Sequence, residues 1–168
     1  AKWWIDGFTD GVDPEYEEQI LPLAARELNG AQRVLDVGCG DGQVSRLAAS
    51  LGAEVMALDP TWNCVSVAHS RGKASFTQAG AAGLPFRSGS FDAVVACLVF
   101  EHIDDLDSAI AEVARVLRPG GRFAFFLNHP LLQTPGSGWI DDHMVGVSIM
   151  SAPQSRHNLA STGQAICF

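Results

Sequence analysis

Two hydrophobic patterns alternate along the chain from about residue 30 to residue 127. Short apolar, β-branched runs typical of buried strands are followed by segments whose apolar residues recur at helical spacing. The predicted strands span residues 33–37, 54–59, 74–78, 91–97 and 122–127, and the predicted helices span residues 14–29, 42–51, 61–71 and 106–117. Near-continuous apolar strands joined by helical crossovers indicate a doubly wound α/β fold, with helices on both faces of a mostly parallel sheet.

The two ends of the chain show weaker patterns than this central region. Pro22 is expected to kink or split the first helix. After Asn128 the periodicity is lost, and residues 144–150 and 164–168 are either short strands or parts of a partly ordered tail of turns. We therefore predict a single domain with an N-terminal lid and helix at 1–30, a core at 31–130 and a C-terminal segment at 131–168.

Composition and charge narrow the range of partners. The 168 residues are 47% hydrophobic and 18% charged, and a net charge of −8 repels phosphate backbones and anionic membrane surfaces. We expect a small-molecule substrate, no nucleic acid and no membrane, with the chain a monomer or a homodimer. No run approaches the roughly 20 apolar residues of a membrane span. The charged first ten residues do not resemble a signal peptide, so we expect a cytoplasmic protein.

The spacing of the cysteines does not indicate a metal site or a disulfide framework. They stand at positions 39, 64, 97 and 167, widely separated and without a CxxC pair. We expect reduced thiols and no bound metal.

A glycine-rich turn carries the densest chemical signal. The first predicted strand ends in VLDVGCGDGQ, where Gly38, Gly40 and Gly42 lead into a helix. Glycines permit positive φ and close approach to a ligand, and doubly wound sheets bind ligands at this edge. A dinucleotide fingerprint needs a glycine where Gln43 or Ser45 stands, and a P-loop needs a lysine that the turn lacks.

Two acidic features indicate what the turn could hold instead. Asp36 and Asp41 are ill suited to a pyrophosphate but compatible with a ligand that carries an amine and a sulfonium cation. Asp59 ends the second strand about 20 residues after the turn, where a carboxylate can accept both hydroxyls of a ribose. Together these features predict a nucleoside with a cationic tail.

At this point the chain resembles the class I S-adenosylmethionine-dependent methyltransferases of the small-molecule, type 11-like group, over roughly residues 30 to 130. Five blocks match in order: VLDVGCGDG, ALDP, AGLPFRSGSFDAVVA, EHIDD and VLRPGGRFAFF. The resemblance implies a Rossmann-like methyltransferase fold, S-adenosylmethionine as cofactor and S-adenosylhomocysteine as product. The family's sheet ends in an antiparallel strand pair, which the C-terminal sequence does not show clearly.

The resemblance also implies roles for individual residues, carried over by matching position. Asp36 would help to bind the amino group of the cofactor, and Asp59 would bind the ribose hydroxyls. The remaining implied contacts are Gly38, Cys39 and Gly40 at the methionine part, Pro60 and Trp62 near the adenine, Ala81 and Ala82 beneath the adenine edge, and Cys97 and Leu98 beside the sulfonium centre. One position departs from the pattern, because Gly80 stands where many relatives have an aspartate; either Gln78 compensates or nucleoside binding is looser.

The catalytic candidates follow the fourth and fifth predicted strands. Glu101 and His102 follow the fourth strand and His129 follows the fifth, and any of them could hold a proton of the acceptor. We expect the acceptor pocket to be formed by His102, Asn128, His129 and Trp139, with the TPGSGW segment folding back as a lid.

Three functions are consistent with these residues. The first is a methyltransferase that acts on a small molecule at oxygen, nitrogen or carbon. The second is a catalytically silent domain that binds S-adenosylmethionine, and the third is an oxidoreductase that binds a nicotinamide dinucleotide. The third shares the argument from Asp59, but the missing third glycine disfavours it.

Overall fold

The elements of the central region lie close to where the hydrophobic pattern predicts them. The computed structural model describes residues 16–128 and the backbone of two further strands, β6 and β7. The helices are α1 (Leu21–Leu28), α2 (Gln43–Ser50), α3 (Trp62–Arg71) and α4 (Leu106–Val116), with a π-helical turn at Tyr16–Ile20 and a 3-10 turn at Phe100–His102. The strands are β1 (Arg33–Val37), β2 (Glu54–Asp59), β3 (Ser75–Gln78), β4 (Phe91–Cys97), β5 (Leu117–Phe126), β6 (Gly138–Asp142) and β7 (Val147–Ser151).

Strands β1 to β5 form one sheet in the order β3-β2-β1-β4-β5, and every pair in it is parallel. The order reverses at β1, so the chain runs outward in both directions from the middle of the sheet. This arrangement confirms the predicted doubly wound α/β fold. It also places the carboxyl ends of all five strands along one edge, where such sheets bind ligands.

The sheet is covered on both faces, because successive residues of a strand point to opposite sides. In β1, Val34 joins one buried cluster together with Val44 and Ala48 of α2. Its neighbour Leu35 joins the other cluster, which contains Val113 of α4. All of these side chains are almost fully buried. The central strands therefore need apolar residues at nearly every position, which is why their limits could be predicted.

The first predicted helix is split next to Pro22, as expected. Its described part begins with the π-helical turn, and the α-helix starts only at Leu21. Pro22 has no backbone N–H and cannot continue a helix from the residues before it, but it is well accommodated in the first turn of a new one. Residues 1–15 lie outside the described part of the chain.

The fifth strand begins earlier than predicted. Phe91 pairs with Leu117 and Ala93 pairs with Arg122, so the ladder between β4 and β5 shifts its register between these two pairs. Residues 118–121 lie within this irregularity, where Gly120 has a φ of 77°. A glycine there tolerates a backbone conformation that other residues rarely adopt.

Strands β6 and β7 form a separate antiparallel pair. They belong to a second compact unit that starts at Leu127, whereas the five-stranded sheet belongs to the first. Residues 138–142 were not predicted as a strand, and the predicted strand at 144–150 is observed as Val147–Ser151. Residues 164–168 lie outside the described part of the chain, and the predicted domain limits stay a prediction.

No helix in the described part of the chain is long and apolar enough to cross a lipid bilayer. The described cysteines, Cys39, Cys64 and Cys97, are free thiols, as expected.

Candidate cofactor-binding site

The turn after β1 is held in one shape by backbone hydrogen bonds. The N–H groups of Gly38 and Cys39 both donate to the carbonyl oxygen of Leu58, over 2.8 and 2.9 Å. Gly42 donates to the carbonyl oxygen of Cys39 over 2.8 Å. The φ angles of Gly38, Gly40 and Gly42 are 75°, 53° and 87°, which explains why glycine recurs at alternate positions.

Two of these glycines are also required by their protein neighbours. A Cβ atom on Gly38 would lie 2.3 Å from a methyl carbon of Val99, and one on Gly42 would lie 3.1 Å from the ring of Phe76. The turn is therefore packed directly against the segment that follows β4 and against β3. Val99 could not be predicted as a site residue from the sequence, because an apolar residue after a strand gives no chemical signal.

Asp59 connects the end of β2 to this turn. One of its carboxylate oxygens accepts from the Gly40 N–H over 3.1 Å, and the other accepts from the Thr61 N–H over 2.8 Å. The side chain is buried. Each carboxylate oxygen has two lone-pair positions, so these two bonds leave acceptor capacity for the hydroxyls of a ligand.

Asp36 lies at the end of β1 and is almost completely buried. The hydroxyl of Ser45 donates to its carboxylate over 2.5 Å. Burial raises the pKa of Asp36 to about 7; the bond from Ser45 acts in the opposite direction, and the nearby charges of Asp59 and Asp41 raise it further. Ser45 was missed as a site residue, although its place in the first turn of the helix after the glycines was a usable signal.

Asp41 was interpreted as a group compatible with a cationic ligand, but its charge is already compensated within the chain. Its carboxylate pairs with the guanidinium of Arg71 and lies 3.9 Å from that of Arg46. The backbone carbonyl of Asp41 also accepts from Arg46 over 2.7 Å. Asp41 therefore stabilises the turn.

The end of β4 lies against the same turn through Val99. The preceding residue, Leu98, has a φ of 55° and donates its N–H to the carbonyl oxygen of Phe126 over 2.8 Å. A non-glycine residue in this region is uncommon and is held there by its surroundings. The structure thus brings Cys97 and Leu98 to the edge where the glycine turn lies.

Cys97 is a buried thiol beside Tyr16. Burial raises the pKa of Cys97 to about 12, and the hydrogen bond from Tyr16 acts in the opposite direction. The pKa of Tyr16 is also raised, chiefly by burial. Both groups therefore remain protonated at neutral pH. Tyr16, which reaches this site from the π-helical turn, was not among the predicted site residues.

The candidate adenine contacts lie on the two segments that follow β2 and β3. The Ala79 N–H donates to the carbonyl oxygen of Asp59 over 3.2 Å, which brings the loop containing Ala81 and Ala82 beside the end of β2. Gln78 donates to the carbonyl oxygen of Pro60 over 2.9 Å. Trp62 begins α3, three residues after Asp59 in the sequence, and is 61% exposed, so its large aromatic surface is accessible to a ligand.

The catalytic candidates are only partly described. Glu101 is half-buried and His102 is exposed, and both lie in the 3-10 turn that follows Val99. The backbone N–H of His102 donates to the carbonyl oxygen of Val99 over 2.9 Å. His129 and the side chain of Trp139 lie outside the described residues, and Asn128 ends the described segment. The predicted acceptor pocket therefore stays a prediction.

The sequence of this chain is similar to that of a known protein family. The family described as "Methyltransferase domain" matches residues 35–125, from β1 to the end of β5. The chain belongs to this family. The glycine turn and the strand-end acids Asp36 and Asp59 lie within the matched region.

Relatives and solved structures agree with this assignment. A ubiquinone biosynthesis O-methyltransferase of Xanthomonas oryzae pv. oryzae is 37% identical over 134 residues, which cover 72% of this chain and 54% of that protein. An S-adenosylmethionine-dependent methyltransferase from Mesorhizobium loti has a TM-score of 0.67 at 28% identity and covers 85% of this chain and 67% of that one. The [4+2]-cyclase SpnF has a TM-score of 0.59 at 30% identity, over 64% of this chain and 43% of that one.

This methyltransferase-domain chain spans about half the length of the curated relatives it matches. The family and the fold imply S-adenosylmethionine as cofactor. The residues present fit that group in two respects. A turn with glycines at positive φ donates the Gly40 N–H to Asp59, whose carboxylate can also accept ribose hydroxyls, and the buried carboxylate of Asp36 suits a cationic amine.

Proposed function

We propose that this chain binds S-adenosylmethionine at the carboxyl edge of its sheet and transfers the methyl group to a small-molecule acceptor. The observation that carries the proposal is the hydrogen bond between Asp59 and the Gly40 N–H. It joins the turn after β1 to the acid at the end of β2, the two features that a nucleoside with a methionine tail requires. The similarity to a named O-methyltransferase favours oxygen as the accepting atom over nitrogen or carbon.

Each candidate residue has a role in this proposal. Asp36 holds the amino group of the cofactor, and Asp59 holds the ribose hydroxyls. Pro60 and Trp62 flank the adenine, with Ala81 and Ala82 beneath its edge. The remaining contacts are those of Gly38, Cys39 and Gly40 with the methionine part and of Cys97 and Leu98 beside the sulfur.

Methyl transfer requires the protein mainly to align the reacting groups and to exclude water. The bound cofactor supplies a methyl group on a positively charged sulfur, and the bond to the acceptor forms as the carbon–sulfur bond breaks and its electron pair stays on sulfur. The chain aligns the acceptor with the methyl group and excludes water. Burial raises the pKa of the Cys39 and Cys97 thiols, so these sulfurs stay protonated and do not compete for the methyl group.

A general base is needed only when the acceptor must lose a proton first. Glu101, His102 and His129 are the candidates. Of these, His102 is exposed on the turn after Val99, where an incoming acceptor can reach it.

Transfer of a labelled methyl group tests the proposal. The protein is incubated with methyl-labelled S-adenosylmethionine and small molecules that offer hydroxyl, carboxyl, amine or activated carbon groups. We expect S-adenosylhomocysteine to form only when an acceptor is present, with an oxygen acceptor preferred. Asp59→Ala serves as the control that lowers transfer. Cofactor binding without transfer to any class of acceptor would contradict the proposal.

That contrary result would favour a second candidate, a domain that binds the cofactor without methyl transfer. The similarity to SpnF, which is described as a [4+2]-cyclase, shows that a related fold is found in a protein named for a different reaction. Calorimetry with S-adenosylhomocysteine identifies this case, because affinity would be retained while turnover is absent.

A further inference from the structure

Three side chains from three elements meet at the centre of the glycine turn. Asp41 lies between Gly40 and Gly42, Arg46 belongs to α2, and Arg71 is the last residue of α3. The Asp41 carboxylate pairs with the Arg71 guanidinium, and Arg46 donates to the backbone carbonyl of Asp41 over 2.7 Å. Both the side chain and the main chain of this residue are therefore held by arginines.

The pairing matters because the Asp41 side chain is only 4% exposed, whereas that of Arg71 is 28% exposed. A buried carboxylate needs a partner, since its solvation is lost. Asp36 and Asp59 are close enough for their charges to interact, and Asp41 interacts with Asp36 as well. Without Arg71, a third negative charge at the turn would repel the two carboxylates that are proposed to hold the ligand.

Arg71 also connects the two parts of the candidate site. It ends the helix whose first turn follows Asp59, and it pairs with a residue of the turn after β1. The turn contains Gly40 and Gly42 at positive φ, so its shape depends on contacts that fix the residue between them.

We propose that Arg71 is a positioning residue for the cofactor, acting through Asp41 to hold the glycine turn in its binding shape. This inference rests on the proposed function, because it presupposes that the turn binds S-adenosylmethionine. Arg71 itself is not proposed to contact the reacting atoms.

Calorimetric titration with S-adenosylhomocysteine tests this role without any need for turnover. Arg71→Ala is expected to lose about tenfold in affinity, within the range of coupling seen in one salt-bridge network. Arg71→Lys keeps the charge but not the planar fork, so we expect it to recover part of the loss. In an Asp41→Asn background the effect of Arg71→Ala should disappear, because the carboxylate through which Arg71 is proposed to act is then absent.

Arg118→Ala is the matched control. Arg118 pairs with Asp92 over 2.7 Å, and Asp92 lies near the start of β4, at the opposite edge of the sheet. We expect this variant to bind S-adenosylhomocysteine as the wild type does. If Arg71→Ala does not fold, the affinity of Arg71→Lys for S-adenosylhomocysteine is measured instead, in the wild-type and in the Asp41→Asn background.

The result that would overturn the inference is an affinity of Arg71→Ala within twofold of the wild type, or a loss of equal size in the Asp41→Asn background. Absence of binding by the wild type would instead contradict the proposed function. The two failures are therefore distinguishable in one set of titrations.

Discussion

Three aspartates at one edge of the sheet differ in their surroundings and therefore in what they can do. Asp41 is paired with arginines, Asp59 accepts from two backbone amides, and Asp36 is buried with one hydroxyl partner. Of these three, Asp59 and Asp36 are the two that are proposed to bind the ligand. Each of them gives a prediction that depends on its own contacts.

Replacing Asp59 with alanine is expected to weaken binding of S-adenosylhomocysteine by about 1.5–3 kcal/mol, the usual scale for hydrogen bonds to a charged group. Calorimetry measures the change. Asp92→Ala is a matched control, because Asp92 also accepts from two backbone amides, those of Gln32 and Arg33, but at the opposite edge of the sheet. Equal affinities for wild type and Asp59→Ala would refute the ribose assignment.

We expect ligand binding to depend on pH through Asp36. Its pKa of about 7 means that the carboxylate form increases as the pH rises through neutrality. If this carboxylate holds the ligand's ammonium group, affinity for S-adenosylhomocysteine should rise between about pH 6 and pH 8, and Asp36→Asn should flatten that rise. An identical rise in both proteins would count against the assignment.

The same raised pKa affects stability with the opposite sign. In the unfolded chain the carboxyl ionises at lower pH, so the folded state binds the proton more tightly. The contribution of Asp36 to the free energy of unfolding is therefore full below about pH 4 and is lost as the pH rises through about 7. Denaturant titrations of wild type and Asp36→Asn over this range would measure the difference.

At the scale of elements, the turn after β1 and the segment after β4 are packed against each other through Gly38 and Val99. Gly38→Ala is expected to destabilise the fold by about 1–3 kcal/mol, because it overpacks this contact and adds a side chain at positive φ. Val99→Ala should relieve the steric overlap with the new side chain at position 38. The double variant should therefore lose less free energy of unfolding than the two single variants lose together. Additive losses, measured by denaturant unfolding, would show that the contact is not the cause.

The loop after β3 is fixed by α4. Arg115 donates to the carbonyl oxygens of Phe86 and Leu84 over 2.7 and 3.0 Å, and Glu112 accepts from the Leu84 N–H over 2.7 Å. Arg115→Ala should therefore increase amide hydrogen exchange in this loop while β1 and β4 keep their protection. Unchanged exchange at Leu84 would show that the loop does not depend on Arg115.

The elements could be predicted to the extent that local pattern decides them. Strands β1, β2 and β4 have the predicted limits, because burial on both faces demands apolar residues throughout. The π-helical turn could not be predicted, although Pro22 marked the place. The pairing of Asp41 with Arg71 joins residues that are 30 apart in sequence. The contact between Gly38 and Val99 joins the segments that follow β1 and β4. Only the folded chain reveals these two contacts.

At the scale of the whole molecule, the proposed cofactor site rests on more described residues than the predicted acceptor pocket does. The described residues proposed to bind the cofactor all lie in the first compact unit, which includes every strand of the parallel sheet. Asn128 and the β6–β7 pair belong to the second unit. Since the chain also spans only about half of its curated relatives, cofactor binding is the claim that the structure supports most fully.

Calorimetric titration of the wild-type chain with S-adenosylhomocysteine, beside a parallel titration with a nicotinamide dinucleotide, tests that claim most directly. The turn after β1 has Gln43 or Ser45 where a dinucleotide fingerprint needs its last glycine, and the buried carboxylate of Asp36 at the end of β1 suits a cationic amine. We predict saturable one-to-one binding of S-adenosylhomocysteine and no binding of the dinucleotide. No heat with S-adenosylhomocysteine, or tighter binding of the dinucleotide, would contradict the account.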